Sequence, residues 1–154
     1  MRTAIILALM LVAPVLLADH HHIASDETVN FEAIKTFLIR EGSATTTRPE
    51  LNNKLIIKKV ENAIRAQLLQ KGLTEDPNRA DAVVSFRVGQ DRRNGPRTIF
   101  DKGTLLIDIT KRDTNNTIWQ GTYTHEESNP AKVAEQLGNR VQKLFSEFPP
   151  KKKK

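Results

Sequence analysis

Two stretches decide how this chain is read: Ala80-Asp81-Ala82-Val83-Val84-Ser85-Phe86-Arg87-Val88 and Gly103-Thr104-Leu105-Leu106-Ile107-Asp108-Ile109. In the first, Ala82, Val84, Phe86 and Val88 fall on one side of an extended chain, and Val83, Ser85 and Arg87 on the other. In the second, Leu105, Ile107 and Ile109 alternate with Leu106, Asp108 and Thr110. A period of two with one apolar set describes strands whose sheet has a buried face and a wet face. Thr117 to Thr124 is β-branched and aromatic, which predicts a third strand. The intervening Asp113-Thr114-Asn115-Asn116 reads as a turn, short enough to make the last two strands an antiparallel hairpin.

Two helices frame these strands. Thr47 and Glu50 stand three apart with Pro49 between them, the spacing of a capping box with proline in the first turn. Leu51, Leu55, Val60, Ile64 and Leu68 then recur at helical spacing, and Ile56, Ile57, Ala63 and Leu69 widen the stripe. Gly72 stops the helix, because a left-handed terminal residue costs glycine least. The second helix opens at Asn129 with Pro130 behind it and carries Val133, Leu137, Val141, Leu144, Phe145 and Phe148 on one stripe. Pro149-Pro150 ends it. Val29 to Ile39 suits a first strand, bent near Glu32-Ala33, and Gly42 to Thr47 a loop. The expected fold is α+β: a two-layer sandwich in the order β-α-β-β-β-α, with a mainly antiparallel four-stranded sheet and both helices on one face.

The chain opens with Met1-Arg2-Thr3, runs apolar from Ala4 to Leu17, and reaches Ala18 before Asp19-His20-His21-His22. A short basic start, a brief apolar run and a small residue at the cut describe a secretory signal peptide. The run holds Pro14 and falls short of the roughly 20 apolar residues a membrane-spanning helix needs. The domain organisation is then residues 1–18 as signal peptide, 19–28 as a flexible histidine-containing lead-in, 29–148 as one α+β domain, and 149–154 as a Pro-Pro and polylysine tail. The chain has no cysteine, so it has neither a disulfide nor a lipidated N-terminal cysteine. Packing alone must hold it, whereas many small secreted domains lean on disulfides.

The net charge of +6 looks like that of a nucleic-acid binder. Arg2 leaves with the signal, and four of the remaining five charges sit in Lys151 to Lys154, so the folded part carries +1. A nucleic-acid-binding domain concentrates basic residues on a face of the fold itself. No nucleic-acid partner is expected.

His20-His21-His22 carries the most distinctive chemistry. After cleavage at Ala18 the new terminus reads Asp19-His20-His21, and a free amine, two amide nitrogens and the His21 imidazole form a tetragonal nitrogen set suited to Cu(II) or Ni(II). Histidine-rich segments also bind metals without purpose, which is the plainer reading. Lys151, Lys152, Lys153 and Lys154 can touch anionic lipid headgroups, or simply stay solvated. Arg92, Arg93, Arg97 and Lys102 surround Asn94-Gly95-Pro96 but are diluted by Asp91 and Asp101, so a solvent loop is expected. His125-Glu126-Glu127 resembles an acid–base group, yet neighbours in an extended chain point to opposite faces and cannot converge. Asp108 needs a donor if partly buried, and Arg87 on the neighbouring strand is the candidate. Arg87, Asp108, Trp119 and Tyr123 are assigned together to the wet face as a candidate partner surface. A Gly-x-Ser-x-Gly elbow, a glycine-rich phosphate loop and a Cys/His zinc spacing are all missing from the sequence.

Several blocks in order resemble a bacterial envelope family, domain of unknown function 4136. They are Val29-Asn30-Phe31-Glu32-Ala33-Ile34-Lys35-Thr36-Phe37, then Val60, Ala63-Ile64, Leu68 and Lys71-Gly72-Leu73, the Ala80-Asp81 strand, the Gly103-Thr104 strand with Asp108, Trp119-Gln120-Gly121, and the Phe145 to Pro150 ending. The resemblance covers Val29 to Pro150 and implies an envelope compartment. Many members are lipoproteins with a cysteine after the signal, which is absent here, so a soluble periplasmic or extracellular protein is implied. No catalytic residue comes with the resemblance. The reading is therefore a non-enzymatic exported module, needing no cofactor, that binds an envelope protein as yet unspecified. A metal-handling protein using His20, His21 and His22 is the alternative, and a hydrolase built around His125 a third.

Overall fold

The computed structural model describes residues 20–40, 42–45, 53–89, 103–125 and 130–150, without the side chains of residues 45, 103, 125 and 130. The expected central strands are there. They are β5 (Ala82–Gly89), β6 (Gly103–Lys111) and β7 (Thr117–His125) in the elements' chain order, with the β6–β7 hairpin turning through Asn115 at φ 56°. Before them come β1 (His20–Ser25), β2 (Thr36–Ile39), β3 (Ser43–Thr45), α1 (Lys54–Gln70) and β4 (Thr74–Glu75). After them comes α2 (Pro130–Phe145).

The sheet is larger than expected and mixed. Its order is β1-β7-β6-β5-β2-β4, with β3 also beside β5, giving seven strands among the described residues. Pairs β1/β7, β7/β6 and β6/β5 are antiparallel, and β2/β5, β3/β5 and β2/β4 are parallel. This corrects the four-stranded, mainly antiparallel sheet. The parallel pairing follows from the connection: β2 reaches β5 through α1, and parallel neighbours need such a crossover. The three extra strands come from segments too short or too polar to show alternation. The supposed flexible lead-in is largely β1, the Gly42–Thr47 loop contains β3, and β4 follows α1. Of the first strand expected over Val29–Ile39, only β2 is extended; Phe31–Ala33 is a 3-10 turn capped by the Asn30 side chain.

Helix α1 begins at Lys54. Asn53 is extended, and its side-chain oxygen accepts from the Ile56 N–H at 2.9 Å. The Thr47–Glu50 capping box lies outside the described residues, as does Asn129 before α2. The buried stripe of α1 is Ile56, Val60, Ile64 and Leu68, one every fourth residue. Leu55, which the sequence placed on that stripe, is 80% exposed, and Leu69 is exposed too. Each is one residue off the buried stripe, about 100° around the helix, so both turn away from the sheet. At the other end Gly72 adopts φ 86°, and the Leu73 N–H reaches back to Leu68 O at 3.1 Å, closing the last turn.

One core joins both helices to one face of the sheet. Ala82, Val84, Phe86 and Val88 of β5, Leu105, Ile107 and Ile109 of β6, and Trp119 and Tyr123 of β7 cluster with the α1 stripe and with Leu137, Val141, Leu144, Phe145 and Phe148. Lys59 Nζ donates to Ala134 O at 2.8 Å and ties the helices together. Arg65 bridges Glu61 at 2.7 Å and Glu75 at 2.8 Å, which holds β4 against α1.

Trp119 lies at the centre. Its ring stacks on Phe145 at 5.3 Å and meets Phe148 edge-on at 5.6 Å, while Phe31 meets Phe148 edge-on at 5.8 Å. The ring lies along its own strand across Gly121: a Cβ there would come within 2.6 Å of Trp119 Cη2. Gly121→Ala is therefore expected to lower stability by about 1–3 kcal/mol through overpacking. Gly138, in α2 with nothing within 4 Å of a built Cβ, serves as the opposite control. Gly138→Ala is expected to raise stability by up to about 1 kcal/mol through helix propensity. Urea midpoints of the two variants should move in opposite directions.

Candidate binding cleft and the uncovered sheet face

Residue alternation sorts the predicted site residues. On β7, Trp119 lies opposite Ile109 and Tyr123 opposite Leu105, both on the helix-covered face. Trp119 is 0% and Tyr123 4% exposed. Neither belongs to the wet face, which corrects half of the expected partner surface. The physical reason is visible in the strand itself: Gln120, Thr122 and Thr124 form its polar set, so Trp119, Gly121 and Tyr123 must face the core. Arg140 and Lys143 of α2 lie over the Tyr123 ring, with the Arg140 guanidinium carbon 5.2 Å and Lys143 Nζ 5.6 Å from its centre.

Arg87 and Asp108 are on the uncovered face, Arg87 exposed and Asp108 half-buried. They do not pair as expected. Arg87 lies opposite Leu106 and Asp108 opposite Ser85 in the ladder. Asp108 takes its hydrogen bond from across the hairpin, where Gln120 Nε2 donates to Oδ1 at 2.6 Å. Among the described residues the face away from the helices is mixed: Val83, Ser85 and Arg87, Leu106, Asp108 and Thr110, Gln120, Thr122 and Thr124, with His20 and His22 beside the last two and Val83 buried.

The histidine run is divided by the strand it forms. His20, His22 and Ala24 share the uncovered face, and His21 and Ile23 the helix face, because their ladder partners alternate. His21 Nε2 donates to Glu147 Oε1 at 3.1 Å, just beyond α2. Among the described residues no group of three or more His, Cys, Asp or Glu side chains is placed to hold a metal ion. Lys151–Lys154, the Arg92, Arg93, Arg97 and Lys102 loop, Glu126, Glu127 and the His125 side chain lie outside the description.

A cleft that the sequence did not announce opens at one end of the sheet. It has a volume of about 530 Å³ and is lined by the segment between β1 and β2, by Ala80 and Asp81 at the start of β5, and by the end of β6. Val29, Ala33, Ile34 and Ala80 give it an apolar floor; Thr28, Asn30, Asp81, Lys111, Arg112 and Asp113 form its rim. Local turns build the walls. Thr28 N–H and Oγ1 donate to Asp26 Oδ1 at 2.9 and 2.6 Å, and Asn30 Oδ1 caps the 3-10 turn through the Glu32 N–H. Just before the cleft's Ala80 and Asp81, Asp76 Oδ1 accepts from the Asn78 and Arg79 N–H groups, both at 2.9 Å. Aspartate and asparagine that bond to main chain two residues on are ordinary turn formers. The Asp26-x-Thr28 pattern was the available signal for the wall that Thr28 to Asn30 forms.

Asp81 clamps the two walls. Its Oδ2 accepts from Lys35 N–H, Thr36 N–H and Thr36 Oγ1, each at 2.9 Å, and its own N–H donates to Thr36 O at 3.1 Å. The Lys35 amide, then the Thr36 hydroxyl and amide, hold the Asp81 carboxyl below its ordinary value. The cleft's rim charges are partnered: Lys111 Nζ lies 2.9 Å from Asp113 Oδ2 on the same wall, and Arg112 Nη1 donates to Asn78 O at 2.9 Å. Lys111 likewise pulls the Asp113 carboxyl down.

The arrangement defines an α+β domain with one sheet face covered and a half-open cleft at the sheet's end. A family model described as "Domain of unknown function (DUF4136)" matches residues 22–150. The chain belongs to that family. Among solved structures it is similar to a DUF4136 family protein from Bacteroides thetaiotaomicron, at 12% identity and a TM-score of 0.66, covering 85% of this chain and 96% of that one. It is also similar to a PDZ domain protein from Parabacteroides distasonis, at 14% identity and a TM-score of 0.61, covering 86% of this chain and 36% of that one. At these identities the likeness concerns fold. None of the curated proteins matches the sequence significantly. No helix among the described residues is long and apolar enough to cross a membrane.

The clamp gives a pH-dependent expectation. A carboxyl depressed in the folded state stabilises the fold above its unfolded value near 3.9, and that contribution fades as pH falls through the folded value. Asp81→Asn should cost about 1 kcal/mol at neutral pH, the scale of a solvent-exposed hydrogen-bond set. The gap between variant and parent should close in acid. Equal deficits at pH 7 and pH 3 in urea titrations would show that charge has no part in the clamp.

Proposed function

We propose that this protein is an exported, non-enzymatic binding module of the bacterial cell envelope, and that its binding site is the cleft between the β1–β2 segment and the end of β6. The observation that carries the reading is the cleft's construction: an apolar floor with a few convergent polar groups, which is how small-ligand sites are generally built. Its volume of about 530 Å³ suits a small amphipathic molecule with an ionised end, the apolar part on Val29 and Ile34 and the charge at the Lys111–Asp113 rim. Asp81 favours binding over catalysis, since a carboxylate held low and committed to main-chain donors is a weak base at neutral pH. Support for export lies in the sequence of Arg2, the apolar run Ala4–Leu17, and Ala18.

Two measurements test this reading. The cell-associated protein should fractionate with the periplasm and start at Asp19 when its N-terminus is sequenced; retention of Met1 in the cytoplasm would sink export. For the site, amide NMR shifts on adding amphipathic small molecules should cluster at Thr28–Ile34 and Lys111–Asp113. Ala33→Trp, at an exposed position on the floor, should abolish them while leaving stability within about 0.5 kcal/mol. Shifts elsewhere, or shifts that survive the tryptophan, would move the site.

A further inference from the structure

The sheet treats its two edges differently. At one edge β4 is two residues long and carries Glu75, held by Arg65, with Pro77 just beyond. β3, which pairs with the end of β5, is three residues long. Short strands, charges and prolines are how edges avoid joining other sheets. At the opposite edge β1 runs six residues, His-His-His-Ile-Ala-Ser, in unbroken register with β7, and has no lysine, proline, carboxylate or bulge. It is also tied at both ends. Asp26 N–H donates to Ile118 O at 2.9 Å at one end, and His21 bonds Glu147 at the other.

The direction of its free main-chain groups follows from that first bond. Asp26 turns its main chain to β7, so by antiparallel alternation Ala24, His22 and His20 do too. The N–H and C=O groups of Ser25, Ile23 and His21 therefore point outward, away from the sheet. Among the described residues they are an unfilled half of a ladder.

We propose that β1 pairs antiparallel with β1 of a second copy of this chain, about a two-fold axis at Ile23, joining two sheets into one. A two-fold perpendicular to the sheet keeps both helix layers on one side and requires paired residues to share a face. Only registers joining residues of like parity meet that requirement. The register centred on Ile23 lets every outward group meet an outward group: Ile23 exchanges bonds with its symmetry mate, and His21 with Ser25 of the second copy.

The side chains agree with that register. On the helix face the two Ile23 side chains, each already packed against its own core, meet at the axis. On the other face His22 lies opposite Ala24, and His20 opposite Asp26, whose carboxyl the Thr28 hydroxyl and amide hold low and therefore anionic. No histidine faces a histidine. The alternative centred on His22 stacks that residue on its own copy, histidine on histidine, and sets Ser25 opposite a position beyond the described end of the strand. The strand has unlike halves, and antiparallel self-pairing is the arrangement that sets each against the other. Two-fold contacts of this self-complementary kind are the commonest in homo-oligomers.

The test uses the full exported protein. Light scattering on a sizing column should give twice the chain mass. Ser25→Pro, which removes an outward N–H and none directed at β7, should return it to a monomer with an unchanged circular dichroism spectrum. The chain has no cysteine, so a paired His22→Cys, Ala24→Cys variant reports the register directly. These positions face each other in a non-hydrogen-bonded pair about 4.5 Å apart at Cα, within the range a disulfide spans. Oxidation should give a covalent dimer on a non-reducing gel, and neither single cysteine should do so. A parent that stays monomeric at its highest soluble concentration overturns the proposal. So does a dimer indifferent to Ser25→Pro, or a double-cysteine variant that does not crosslink. Should the proline variant fail to fold, the crosslink alone decides.

Discussion

The structure depends on covering the inner face of β5, β6 and β7. Those strands present Val84, Phe86, Leu105, Ile107, Ile109 and Trp119, all at most 2% exposed, to two helices of the same layer. Without a disulfide, no crosslink restrains the unfolded chain. Burial must supply the stability, at roughly 25 cal/mol for each Å² of apolar surface removed from water. Trp119 has the central share, because its ring joins the hairpin to the end of α2 through Phe145 and Phe148. Gly121 is the local condition for that: the ring lies where a side chain on the neighbouring same-face position would stand.

This layer explains where the rest of the chain goes. Once β5–β6–β7 is covered on one side, its lateral edges offer unpaired main-chain groups. β7 is completed by β1, and β5 by β2 and β3. β2 enters parallel because α1 lies between it and β5 and must return over the same face. The turns needed to deliver β2 and β5 side by side fall at one end of the sheet, where Asp26, Asn30, Asp76 and Asp81 all spend carboxylate or amide oxygens on main-chain donors. The cleft is a by-product of that crossing. Its floor is apolar because Ile34 and Ala80 belong to the edge of the core, and its rim is charged because β6 ends there in Lys111-Arg112-Asp113.

What the sequence made legible follows the same division. Alternation in Ala82–Val88 and Leu105–Ile109 located the central strands, and the stripe Val133 to Phe148 located α2 and its buried residues. These segments are long, and one apolar face dominates them. β1, β3 and β4 were not legible, since a short polar strand is ordered by the neighbour it pairs with and not by its own pattern. The start of α1 was misread because two cap signals compete: Thr47 with Glu50 reads well in isolation, yet Asn53 is the cap of α1; Leu55 was misplaced because it stands five residues before Val60 and so falls off the buried stripe. On β7 the aromatic pair was assigned to the wrong face although Gln120, Thr122 and Thr124 already marked the polar one. The cleft could not be seen at all, because its walls are distant in sequence, Thr28–Ile34 against Lys111–Asp113, and meet only when β2 and β6 pair on either side of β5, with Asp81 bonded between them.

The division of the histidine run shows how strand formation changes the meaning of a motif. As a flexible terminus, His20-His21-His22 offers adjacent imidazoles and amides to one ion. As β1, the same residues alternate, and His21 turns to Glu147 while His20 and His22 turn the other way. Gathering them around a metal would require the terminus to leave its ladder with β7, so any metal affinity competes with six rungs of pairing from His20–Thr124 to Ser25–Trp119. The contact with Glu147 strengthens the strand's side of that competition, because it fastens β1 to the end of the helix that already packs on Trp119. The same three histidines thus carry two chemistries, one as a free terminus and one as a strand, and the ladder with β7 is what separates them.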